Sequence, residues 1–199
     1  MDLAEVVRRR RMARSFTDAP IDADVIRNCV DLASRAPSAG KSQGWSLLVL
    51  EGSETERYWN LALPGPKRAG FAFPGLLRAP FLAIVAADPE AYLERYSEPD
   101  KTSTGLGASL DAWPAPYWTI DASFATMVLL LAFEDAGLGA LFFAHSNEDA
   151  IRSEFGVPER VEILGVIVAG HRTGGAQRRG RSAERPRRTA SEIIRRREW

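Results

Sequence analysis

Arg10, Arg11 and Arg14 lie in the stretch RRRMARSF, residues 9–16, where a helical pattern gives way to an extended one. Guanidinium forks match phosphate oxygens bidentately, so three of them converging would form an anion pocket. A solvated basic helix face has the same spacing, and both readings stand at this level. A second stretch, RAPSAGKSQGW at 35–45, separates a helical pattern from an apolar strand pattern. Pro37 stops the helix. Ser38, Ala39 and Gly40 are small enough for a flat ring to approach the backbone. Lys41, Ser42 and Gln43 offer donors, and Gln43 also an acceptor. The imide-like edge of a heteroaromatic ring requires that mixture, although an ordinary Pro/Ser/Gly turn would use the same residues.

Two later stretches carry related signals. In AGLGALFF, 136–143, Gly137 ends a helix in the left-handed conformation and Gly139 permits close approach of another backbone or ring. The glycines precede a strand instead of following one, so this is not the dinucleotide fingerprint. ERPRRTASEI, 184–193, adds a late arginine cluster stiffened by Pro186. A nucleic-acid arm is the rival reading, but Glu184, Glu192 and Glu198 interrupt the charge and only Trp199 offers an aromatic platform. His145 follows a strand and suits a hydrogen-bonded structural role. No side-chain nucleophile with an adjacent base stands out. Cys29 falls inside a helical pattern as a small buried hydrophobe.

Helical patterns cover Leu3 to about Met12, Asp22 to Ala36 and Ser53–Leu61. A helix follows Pro89 to Tyr96, the most apolar one spans Asp121–Gly137, and Asn147 caps another that ends at Gly156. Apolar strand patterns occupy 46–50, 81–87, 140–144 and 161–169. Residues 62–80 read as irregular, and SEIIRRREW as a short last helix. The loop 97–118 holds Trp113, Tyr117 and Trp118, candidates for a lid. The element order fits a sheet covered by helices and leaves strand direction open.

The chain has 199 residues, 45% of them apolar, enough for a substantial core. Its 26 basic and 26 acidic residues cancel, so no global field favours nucleic acid or a membrane surface. One cysteine permits no internal disulfide and suits a reducing cytoplasm. The charged N-terminus lacks a signal-peptide pattern, and the apolar run Phe124–Phe133 is far short of the roughly 20 residues that span a bilayer.

The order of the signals is more specific than any one of them. An Arg-rich helix end with IDADVI following, then APSAGKSQGWSLLVL, a helix ending in GLG and a late Arg cluster resemble the nitroreductase family of FMN-dependent oxidoreductases. The resemblance covers nearly the whole chain. It implies an α+β, nitroreductase-like fold: a central, mostly antiparallel sheet covered by helices, in an intertwined homodimer with flavins at the subunit interface. One FMN-binding domain would span 1–199, with 172–199 a basic C-terminal arm embracing the partner. Carried over by position, Arg10, Arg11 and Arg14 would hold the FMN phosphate and ribityl chain. Pro37, Ser38 and Ala39 would line the isoalloxazine, with Lys41 and Gln43 near its pyrimidine edge. Leu138 and Gly139, with the Phe142–Phe143 strand, would pass near N5, and Arg187 and Arg188 would return to the phosphate.

The implied activity is hydride transfer from NADH or NADPH, then reduction of a nitro, quinone or other small organic acceptor by a ping-pong mechanism. A flavin-binding protein without robust turnover, or a same-fold enzyme using a deazaflavin, are the alternatives. The expected partners are a small-molecule electron acceptor and a second copy of the chain, with no nucleic acid and no membrane. The chain departs from the family pattern at Met12, Lys41 and Gly44, where Ser, Asn and Pro are usual. Facing inward, Lys41 would favour the anionic reduced flavin.

Overall fold

The computed structural model describes residues 1–174 and 184–198. In chain order, α1 (Leu3–Arg9) and α2 (Ala23–Ala33) precede β1 (Trp45–Glu51), α3 (Thr55–Ala62) and α4 (Pro66–Ala69). Then come β2 (Phe81–Ala87), α5 (Glu90–Tyr96), α6 (Tyr117–Asp135), β3 (Gly139–Phe143), α7 (Glu148–Phe155), β4 (Glu162–Gly170) and α8 (Ala190–Ile193). The strands form one sheet in the order β1-β2-β4-β3, with every neighbouring pair antiparallel.

All seven residues of β2 are buried, because both faces of the sheet are covered. Phe81, Ala83 and Val85 pack with Cys29 and Ala33 of α2 and with Leu129 and Phe133 of α6. Leu82 and Ile84 point the other way, to Tyr58 and Trp59 of α3 and Ile151 of α7. An antiparallel strand commonly alternates apolar and polar because one face meets water; here neither does, so the alternation is lost. This is the α+β arrangement that the resemblance implies, an antiparallel sheet covered by helices, with strand direction now resolved.

Several boundaries differ from the sequence expectation. The first helix ends at Arg9, not near Met12, since Arg10 adopts φ −49, ψ 125 and Met12 forms a bridge with Ala140. The apolar helix starts a turn early, at Tyr117 just after Pro116. Its 19 residues are long and apolar enough to cross a membrane by length and composition, which corrects the shorter span read from Phe124–Phe133. More than half of it is buried in the protein, between α2 and the sheet. Asn147 does precede α7, but its side chain does not cap it: it is left-handed (φ 59), and its Nδ2 donates to Leu61 O at 3.3 Å. Residues 62–80 hold α4 and a tight turn at Pro74–Arg78, so they are less irregular than expected. The last helix covers only Ala190–Ile193. Residues 175–183 of the expected arm lie outside the described residues.

Candidate functional site

The loop between α2 and β1 is held in an unusual backbone conformation. Gly40 (φ 60), Lys41 (φ 60) and Gln43 (φ 55) are all left-handed, a region costly for residues with a Cβ. Such strain persists only where the surroundings impose it. Helix α5 supplies a cradle. A Cβ on Gly40 would sit 2.7 Å from Tyr96 Cε2, and one on Gly44 would sit 2.6 Å from Asp88 O and 2.9 Å from Tyr92 Cε2. Neither glycine has room for a side chain, which explains why Pro is absent at position 44. Arg95 Nε donates to Gly40 O at 2.8 Å, and its guanidinium is braced by both carboxylate oxygens of Asp100. From α6, Asp121 accepts from Ala39 N–H at 2.8 Å. None of Tyr92, Arg95 and Asp121 was singled out by its sequence context.

Lys41 is exposed and is not among the cavity-lining residues, so within this chain it does not face inward as sequence reasoning had entertained. Its left-handed backbone suits Asn better, since a short amide tolerates φ > 0. Lys41→Asn is expected to raise Tm by about 1–2 °C, from roughly 0.5 kcal/mol of relieved strain. A thermal melt checks this; a lower Tm would show that Lys41 makes a contact worth more than the strain.

Beside the loop lies a cavity of about 480 Å³. Pro37, Ser38 and Gln43 of the loop line it, with Ser34 just after α2, Trp45 of β1 and Asp121 of α6. Ala39 is half-buried at the same turn. The walls are largely apolar, with a few polar groups converging, the usual make-up of a small-molecule site.

The arginines are elsewhere. Burial, followed by the charges of Arg187 and Arg11, holds the Arg10 guanidinium below its ordinary pKa, while Glu134 pulls it up. Arg10 Nη1 is buried and has no hydrogen-bond partner among the described residues. A half-buried cation facing two others, with a buried donor nitrogen unpartnered among the described residues, is arranged for an anion. Glu134, 4% exposed on α6, pairs with Arg172 and lies 3.9 Å from Arg9.

The other expected basic residues are engaged locally. Arg11 Nη1 donates to the carbonyls of Arg8, Arg9 and Arg10, capping the end of α1. Arg14 donates to Met12 O at 3.0 Å and lies over the Phe73 ring. Arg188 donates to Glu192 O within the C-terminal segment.

The two groups of residues are far apart. Asp121 and Glu134 are thirteen residues apart on α6, about 20 Å along its axis and roughly 220° around it. The cavity and the arginines therefore lie toward opposite sides of the same helix.

Leu138 is 2% exposed in the core. The space at Gly139 is filled by this chain's own Arg172 Cγ, Ala13 Cβ and Phe16 Cε1, 2.7, 2.9 and 3.1 Å from a would-be Cβ, and not left open for a ring. The lid reading needs correction too. Trp113 and Trp118 are buried, and their indole nitrogens donate to Leu106 O and Glu162 Oε1 at 2.9 and 2.8 Å. Only Tyr117 is exposed. His145 Nε2 pairs with Glu148 at 2.9 Å. Burial pushes the Cys29 thiol up to about 11, so it stays protonated. Among the described residues no group of three or more His, Cys, Asp or Glu could hold a metal ion.

The Nitroreductase family profile matches residues 7–171. A protein of Archaeoglobus fulgidus, assigned as an NADH dehydrogenase/NAD(P)H nitroreductase, is 27% identical over 167 residues, 81% of this chain and 80% of its own. A nitroreductase family protein from Streptococcus pneumoniae superposes with TM-score 0.74 at 20% identity, over 98% of this chain and 100% of that one. An FMN-dependent nitroreductase from Clostridium difficile does so with TM-score 0.68 at 17% identity, over 99% and 100%. Fold and family profile agree, and the chain belongs to the nitroreductase family.

Proposed function

We propose that this oxidoreductase uses FMN, takes hydride from NADH or NADPH and reduces a small organic acceptor such as a nitro compound or quinone, by ping-pong turnover. The observation that carries the proposal is Arg10: a half-buried guanidinium whose buried Nη1 has no partner among the described residues, beside Arg187 and Arg11. A phosphate would satisfy all of these at once, and the cavity at the 37–44 loop suits a flat ring.

In this reading Arg10 and Arg187 bind the phosphate. Pro37, Ser38 and Ala39 lie along the ring, and Gln43 is placed to bond its polar edge. When bound, FMN supplies the hydride-accepting and hydride-donating centre. The chain's own tasks are to orient that ring, keep water from its face and set the local charge. No side-chain acid or nucleophile is required of it.

The site would be completed by a second copy. The α6 helix itself stands between the cavity and the arginines, so a single chain presents two half-sites. Along α6, Phe124 (48% exposed) and Met127 (41%) form a stripe with Ile120 and Leu131, and Leu3 and Val7 of α1 are also exposed. A helix apolar all round usually has each face covered. A homodimer pairing these stripes would set the ring cavity of one copy against the arginines of the other, with 172–199 as a basic arm of one 1–199 domain.

The test is to add FMN to the purified protein, remove free ligand and record the spectrum anaerobically with and without NADH or NADPH. A perturbed flavin spectrum that bleaches is the expected result. Retained flavin that neither nucleotide reduces would leave FMN binding standing and remove the proposed reductant. No retained flavin would remove the cofactor assignment.

A further inference from the structure

We propose that Asp121 is a positioning residue for the 37–44 loop, acting through Ala39 and Tyr92. The proposal rests on the reading of that loop as the ring-lining segment. Asp121 is 6% exposed and lines the cavity one helical turn from Ala125, which also lines it. One carboxylate oxygen, Oδ2, accepts both the Ala39 N–H and the Tyr92 O–H, each at 2.8 Å. Ala39 opens the turn that leads into the left-handed run. Tyr92 is 1% exposed, and its ring fills the space beside Gly44, at the other end of the loop. A single carboxylate thus steadies both ends of the strained segment. Burial first, and then the bond to Asp121, hold the Tyr92 phenol far above its ordinary pKa, so it remains a donor.

The alternative tethers cannot replace this one. Arg95 holds the loop only at Gly40 O. Ser42 Oγ and Gln43 N bond within the loop itself, to Ala39 O and Ser38 Oγ. Without the Asp121 acceptor, the Ala39 N–H and the Tyr92 O–H each lose their partner, and among the described residues no other hydrogen bond ties the loop to α6. The left-handed backbone at Lys41 and Gln43 then loses part of what imposes it. The carboxylate also places a negative charge at the cavity wall. It opposes the gathering of charge on a reduced ring, so neutralising it raises the ring's midpoint potential.

Hydrogen exchange on the flavin-free protein tests the tether directly, read at a peptide covering 37–44. Asp121→Ala is expected to speed exchange there about 10-fold, with β2 and β4 peptides unchanged, and Tyr92→Phe to give a smaller rise. Asp121→Asn keeps a carbonyl acceptor and should stay within roughly threefold of wild type. Its bound FMN should nonetheless show a raised midpoint potential, which a purely structural contact would not produce. FMN affinity should fall in the order of the exchange effects. Should Asp121→Ala not fold, Tyr92→Phe and Asp121→Asn still decide the matter. Wild-type exchange at 37–44 in Asp121→Ala or, where that variant does not fold, in Tyr92→Phe, an unshifted potential in Asp121→Asn, or equal acceleration across the whole sheet, would overturn the proposal. A wild-type protein that exchanges as expected but binds no FMN would instead overturn the flavin reading, leaving the tether intact.

Discussion

Arg10→Ala lowers FMN affinity about 10- to 100-fold, the loss of one charge-assisted phosphate contact, while the flavin-free protein keeps at least wild-type stability. The two halves of this expectation have one cause. Without an anion, Arg10 holds a buried nitrogen with no partner and faces the charges of Arg187 and Arg11. Shortening it removes a desolvated, repelled cation, so the empty protein loses little. With phosphate present, the same group turns from liability into ligand. Fluorescence titration with FMN reads the first half and a thermal melt of the flavin-free protein the second. Arg10→Lys sharpens the comparison, since it keeps the charge and loses the two-pronged fork. An Arg10→Ala protein that melts well below wild type yet binds FMN normally would make Arg10 a structural cation and leave the phosphate without its proposed seat.

Phe124→Glu together with Met127→Glu is expected to halve the mass in solution and abolish flavin retention, with the far-ultraviolet spectrum unchanged. Both side chains are well exposed in the single chain, so charging them costs its fold little. In a two-fold dimer each substitution is counted twice. Losing the burial of four large apolar side chains at about 1.5–3 kcal/mol each exceeds what a micromolar dimer can spare. Light scattering after gel filtration gives the mass, and absorbance of the same peak gives the flavin. A variant that stays dimeric would move the interface off α6. A wild-type monomer that holds FMN would end the two-half-site account.

What could be read in the residues follows how local each cause is. β2 was legible as a buried strand because seven apolar residues stand in a row. Its antiparallel pairing was not, because burial of both faces erases the alternation that distinguishes it. Gly137 announced its left-handed helix end by type alone, at φ 79. The left-handed backbone at Lys41 and Gln43 was hidden, since neither residue type favours it. Arginine content marked an anion site, yet only the structure separated Arg10, whose buried Nη1 has no partner among the described residues, from Arg11, which closes its own helix. Asp121 was the deepest omission. Its partner Ala39 is 82 residues away in the chain, and an acid inside an apolar helix has no local feature that names such a contact.

The residues around the cavity divide into two classes with different freedom to vary. Tyr92, Arg95, Tyr96 and Asp121 hold the loop, and Gly40 and Gly44 leave the space that lets them. Val30, Ser34, Ser46 and Val49 line the open space and carry none of these tethers. Directed evolution toward a new acceptor therefore has a natural library: those four wall positions can be randomised together, reshaping the chamber while the loop stays seated. Libraries that include the first class would mostly sample misplaced loops.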